Sequence, residues 1–139
     1  MSRKITQKKL FLFGMLVMLL VVLVGCSSNA VTFSGSYSGQ ESSKRTETGW
    51  TYSLKGSANR TGITNVNFSA DNLDVFHAKS TSGGGQVSLI ISQGDTELTV
   101  NLTGEFNEDV DMSGFEPGRI KLQLVLKDAV DVDVILTWS

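Results

Sequence analysis

The side chains with chemical potential cluster once, in Asp109-Val110-Asp111-Met112-Ser113-Gly114, where Asp109, Asp111 and Ser113 alternate ahead of a glycine. Calcium loops begin this way, because a hard cation gathers roughly six to eight oxygen ligands. An EF-hand loop also needs a bidentate Glu at its twelfth position, and counted from Asp109 that position is Ile120. Glu105, Asn107, Glu108 or Glu116 would have to close the shell. A solvated acidic loop is therefore the simpler reading and a calcium site the weaker one. His77 is the sole histidine and Cys26 the sole cysteine, too few for a zinc site. No Gly-x-Ser-x-Gly elbow exposes a nucleophile, and Ser82-Gly83-Gly84-Gly85 lacks the Gly-Lys-Ser/Thr ending of a phosphate loop. Asp71 and Asp74 could act as a carboxylate pair only across a substrate cleft of fixed width. The chain reads as non-enzymatic, without a cofactor and without an assignable ligand-binding residue. Tyr37, Trp50, Tyr52 and Trp138 are the aromatics that could stack on sugars, but Trp50, Tyr52 and Leu54 share one strand face and Trp138 continues another apolar face. Those positions read first as core.

The elements that would carry these residues are strands. Ile120, Leu122, Leu124 and Leu126 alternate with Lys121, Gln123, Val125 and Lys127, the signature of a half-buried strand. Val130, Val132, Val134, Leu136 and Trp138 repeat it, so a hairpin across Lys127-Asp128-Ala129 is expected. Val87, Leu89 and Ile91 face Leu98, Val100 and Leu102 across Gln93-Gly94-Asp95, a second expected hairpin. Residues 31–37, 49–56, 62–69 and 73–78 alternate less regularly and are expected as four further strands. The main loops are then 40–48, 80–85 and 105–118. Seven to eight short strands, 14 glycines and no long helix predict an all-β fold, an antiparallel β-sandwich of jelly-roll-like type.

Ahead of this domain lies a segment of different character. Arg3, Lys4, Lys8 and Lys9 precede residues 10–24, which carry no charge, as the n-region and h-region of a secretory signal do. The apolar run is shorter than the roughly 20 residues that a spanning helix needs. It closes on Leu23-Val24-Gly25-Cys26, which resembles a bacterial lipobox. The resemblance implies diacylglyceryl transfer to the Cys26 thiol, cleavage before it and a mature chain that begins with the lipidated cysteine. It divides the sequence into a helical signal peptide (1–25), a short tether (26–30) and a β-sandwich domain (31–139). Four residues separate Cys26 from Val31 and span at most about 14 Å, so the domain sits close to the bilayer.

The signal takes four of the 12 basic residues and none of the 14 acidic ones, leaving 8 against 14 and a formal charge of −6. No basic stripe of the kind that nucleic acids require survives. Asp111-Met112-Ser113-Gly114-Phe115-Glu116-Pro117-Gly118, followed by Ile120-Lys121-Leu122 and by Val134-Ile135-Leu136-Thr137-Trp138, resembles small uncharacterised bacterial lipoproteins of Gram-positive type. That resemblance covers about the last half of the mature chain and brings no functional residues with it. The expected protein is anchored by lipid to the extracytoplasmic side of the cell membrane, where it binds a protein or envelope component. A carbohydrate- or cell-wall-binding module using exposed aromatics and a calcium-dependent adhesion module are the alternatives. Cys26→Ser is expected to abolish lipid labelling and leave the precursor uncut in cells. Normal processing of that variant would remove the anchor.

Overall fold

Alternation runs unbroken through the first of the two longest strands. Every even-numbered residue of β2 (Gly49–Phe68) from Trp50 to Leu54 and from Gly62 to Phe68 is buried, with Ala58 between them. The computed structural model describes residues 30–139. The expected signal segment, Leu23, Val24, Gly25 and the expected lipidation residue Cys26 lie outside the described residues. Around β2 stand β1 (Thr32–Arg45) on one side and β7 (Gly118–Thr137) on the other, both antiparallel to it along most of its length. The second edge of β7 is shared. Its first half pairs with β4 (Gly84–Gln93), which carries β5 (Thr96–Asn101), and its second half pairs with β3 (His77–Thr81), which carries β6 (Phe106–Asp109). One short helix, α1 (Ala70–Asp74), starts at a capping box in which Ser69 Oγ accepts from the Asn72 N–H and Asn72 Oδ1 accepts from the Ser69 N–H.

A 20-residue strand extends about 65 Å, roughly twice the width of a domain of this size, so β2 and β7 cannot stay straight. They crease at two lines. At the first, Lys55 and Gly56 oppose Asp131, and the Gly56 N–H donates to Asp131 Oδ1 at 3.0 Å. At the second, Lys127 and Asp128 oppose Asn59, whose side chain exchanges two bonds with Asp128: Asn59 Nδ2 donates to Asp128 Oδ1 at 3.0 Å and the Asp128 N–H donates to Asn59 Oδ1 at 2.9 Å. Asp128 (φ 47°) and Asp131 (φ 48°) are, among the described residues, the two non-glycine residues with positive φ, a conformation that Asp tolerates better than most residues. Each extra residue is a β-bulge that bends and twists the ladder. Gly39 pairs with Gly56 beside the first line, and a Cβ on either would lie 2.0 Å from a carbonyl oxygen of the other strand.

The crease folds the sheet onto itself as a sandwich. One layer runs β1-β2-β7-β4-β5 and the other β1-β2-β7-β3-β6, with the same sheet face inward in both. Phe68 at the end of the first layer meets Trp138 at the end of the second, ring centroids 5.4 Å apart, and Trp138 stacks on Phe76 at 5.9 Å. Where the layers converge at the crease only Ala58 and Ala129 fit.

This architecture confirms the all-β sandwich and its seven strands while redrawing several of them. The predicted strands 49–56 and 62–69 are one strand, β2. The predicted hairpin at Lys127-Asp128-Ala129 is a bulge inside the continuous β7, because the burial phase shifts there from even to odd and returns by Val132. Loop 40–48 is mostly β1, loop 80–85 mostly the ends of β3 and β4, and loop 105–118 contains β6. The expected strand 73–78 begins as α1, whose capping box outcompetes extension at Ser69. The hairpin at Gln93-Gly94-Asp95 forms as expected, with Gln93 opposite Thr96 and Gly94 at φ 56°.

Ala129→Leu should destabilise the domain by about 1–3 kcal/mol through overpacking at the crease, and Gly56→Ala by at least as much, whereas Gly114→Ala, with only Thr96 Cγ2 near its new Cβ at 3.9 Å, should be neutral. Urea midpoints measure all three. A Gly56→Ala protein as stable as the parent would show that the crease does not depend on this close approach.

Candidate functional site

β1 is an edge strand with no buried residue, yet its odd-numbered side chains share the inward face of β2 through the register Phe33↔Gly62, Tyr37↔Ala58 and Glu41↔Leu54. The open side of the sandwich is therefore closed by polar and aromatic groups. Arg60 donates from Nε and Nη2 to the two oxygens of Glu41, at 3.1 and 3.0 Å, and from Nη1 to the Gly35 carbonyl at 3.1 Å. Tyr52 Oη donates to Glu41 Oε2 at 2.8 Å. The Arg60 guanidinium also lies 5.1 Å from the ring centroids of both Phe33 and Tyr37. A bidentate, charge-assisted pair of this kind is both strong and directional. Its bond to Glu41 holds the Arg60 pKa above the ordinary value. Burial, then the Glu41 bond, raises that of Tyr52.

Tyr37 stands at the edge of this cluster and is 47% exposed. Open clefts flank it on both sides. One, about 320 Å³, is lined by Ser36, Ser38, Ser57, Asn59 and Asp128; the other, about 540 Å³, is lined by Gln40, Glu41, Ser42, Ser53 and Lys55. Clefts that combine an exposed tyrosine with hydroxyl, amide and carboxylate groups can hold a polyhydroxylated ligand by aromatic contact and hydrogen bonding. The other aromatics singled out in the sequence lie elsewhere: Trp50, Tyr52 and Trp138 are at most 2% exposed, so they form core and cannot serve as exposed binding platforms. Trp50 Nε1 donates to Ser43 Oγ at 2.9 Å and Trp138 Nε1 to the Glu47 carbonyl at 2.7 Å.

The calcium candidates come together only in part. Asp109, Asp111 and Ser113 line one open cleft of about 520 Å³ with Asp74, while Val110, Met112 and Phe115 point from the same loop into the core. Oδ1 of Asp109 is engaged by His77, and Oδ1 of Asp111 accepts from the Ser113 N–H at 3.0 Å. Bonds from Ser113 hold the Asp111 carboxyl below its ordinary value. Among the described residues no group of three or more His, Cys, Asp or Glu side chains is placed to hold a metal ion.

Arg60 and Glu41 were not singled out in the sequence. Arg60 carried a signal, since it falls in the even, inward phase of β2 where a charge needs a partner; Glu41 was hidden inside a segment read as loop. His77 falls within the expected strand 73–78 and opens β3, and the structure adds its partners. Its Nδ1 lies 2.6 Å from Asp109 Oδ1 and its Nε2 2.7 Å from Asn107 Oδ1, so β3 is tied to the edge strand β6. Both nitrogens face oxygen, so both bonds form when both carry protons, and a neutral ring keeps both only by turning the Asn107 amide over. The bond to Asp109, followed by that to Asn107, raises the His77 pKa. A raised folded-state pKa contributes stability that is complete below the unfolded value near 6.5 and is lost as pH rises through the folded value. The melting temperature of the parent should therefore fall relative to His77→Gln as pH increases above about 6.5. Parallel curves for the two proteins would show that the His77 bonds contribute nothing.

No family model matches the chain, and no curated protein is similar to it. Among solved structures the chain is similar to TmCBM61 in complex with beta-1,4-galactotriose, at 18% identity over 81% of this chain and 81% of that one, with a TM-score of 0.37.

Proposed function

We propose that the protein is a lipid-anchored, extracytoplasmic, non-enzymatic binding module that takes a polyhydroxylated envelope component, a cell-wall or surface polysaccharide, at the crease around Tyr37. The observation that carries this reading is the exposed Tyr37, which lines two clefts whose other walls carry hydroxyl, amide and carboxylate side chains. Arg60 presses on the ring and is itself held by Glu41 and the Gly35 carbonyl, so the platform is pre-organised before ligand arrives. Asn59 and Asp128 line one of these clefts with Tyr37 and already fix each other across the bulge. Anchoring rests on the lipobox resemblance at Leu23, Val24, Gly25 and Cys26, with the lipid holding the module where such polymers lie.

Binding to solubilised wall polysaccharides and peptidoglycan fragments, followed by isotope-edited NMR, tests the site. Amide shifts should concentrate at Tyr37, Ser57, Asn59 and Asp128, while the buried Trp50 and Trp138 report no fluorescence change. Tyr37→Ala, at an exposed position, should lower affinity by about tenfold, the size of one lost aromatic contact, and leave the fold intact. Unchanged affinity in that variant, or shifts confined to the far end of the sandwich, would refute the site.

A further inference from the structure

The described residues distribute charge unevenly over the sandwich. On the outer face of the β1-β2-β7-β4-β5 layer, Arg119, Lys121 and Lys127 project from β7 and are exposed, and Glu97 on β5 and Asp128, bonded to Asn59 at the crease, are the acidic strand residues beside them. Three of the eight basic residues downstream of Cys26 thus share a face with two of the 14 acidic ones. None of the three basic residues makes an ion pair among the described residues. Ile63, Ile90 and Val125, each half-buried, lie in the middle of that face around Gln123. The end of the sandwich remote from the crease has the opposite character, its connections carrying Glu47, Asp71, Asp74, Asp95, Asp111 and Glu116.

The chain joins β1 from the direction of that acidic end. Thr32 pairs with Ile63, and the Thr64 hydroxyl donates to the Ala30 carbonyl at 2.9 Å, which carries the line of β1 outward along the edge of the same layer. Six residue steps separate Cys26 from Thr32, at most about 20 Å. A lipid on Cys26 therefore holds this edge within a few Debye lengths of about 8 Å from the bilayer surface. Anionic headgroups repel the acidic end and attract the basic face.

We infer that the outer face of the β1-β2-β7-β4-β5 layer rests on the anionic bilayer to which Cys26 is anchored, with Arg119, Lys121 and Lys127 against headgroups and Ile63, Ile90 and Val125 at the interface. This rests on the lipid-anchor reading. A net surplus of one basic residue favours contact by about fivefold at physiological ionic strength.

The test uses the lipidated protein reconstituted into vesicles of phosphatidylcholine alone or mixed with phosphatidylglycerol. Amine acetylation is followed residue by residue with mass spectrometry. On the anionic vesicles Lys121 and Lys127 should react about fivefold more slowly than Lys44, Lys55 and Lys79, and high salt or neutral vesicles should remove the difference. Retention on anionic vesicles with all five lysines reacting alike, or with Lys44 and Lys79 protected instead, overturns the docking and leaves the anchor standing. Protein that does not stay with either vesicle overturns the anchor and the docking together.

Discussion

Everything else in this domain depends on the crease in its two 20-residue strands. A sheet with one apolar face must bury that face against something, and here it is buried against its own continuation. The cost is concentrated in a narrow band across the sheet, where Gly39, Gly56, Asp128 and Asp131 take positive φ and Ala58 and Ala129 keep the converging faces small. In return, large rings from opposite ends of the chain path meet in one core, as Phe68, Phe76 and Trp138 do. The paired Asn59 and Asp128 side chains are part of this device, since they satisfy polar groups that the displaced ladder leaves free.

A folded sheet has an open side, and β1 must close it without being buried itself. An aliphatic side chain at position 41 would leave the Tyr52 hydroxyl without a partner, and one at position 60 would leave the Glu41 carboxylate without its counter-ion. Glu41 instead accepts from both Tyr52 and Arg60, and Arg60 spreads its plane over Phe33 and Tyr37. The pair also links the layers, since Glu41 lies past the crease in β1 and Arg60 past it in β2, on opposite sides of the fold. At the other end of the same strand the guanidinium of Arg45 covers Trp138 at 4.9 Å, and its Nε and Nη1 are buried without a hydrogen-bond partner among the described residues. Desolvation lowers its pKa. Stacking on the indole offsets part of that penalty.

Tyr37 sits at the crease, five residues along β1 from Thr32, a distance of about 17 Å. The polar side chains of the crease serve two ends at once, bending the sheet and lining the clefts that Tyr37 shares.

The strand class, the inward phase of β2 and β7 and the β4-β5 turn were legible in the sequence, because period-two burial and turn chemistry are local properties that the chain states residue by residue. The lipobox resemblance and the charge balance are local as well. The continuity of β7 was not legible, since Lys127-Asp128-Ala129 has the composition of a turn and becomes a bulge only when β2 and β4 pair along its whole length. Nor was the site. Tyr37 resembled the other aromatics until packing buried Trp50, Tyr52 and Trp138 and left it exposed, and Glu41 and Arg60, 19 residues apart, become partners only through the β1-β2 register. What the sequence by itself determined is which residues must face inward. Tertiary structure decided where the sheet turns back on itself, because a crease is set by strand length against domain width, and that comparison exists only once the strands are paired.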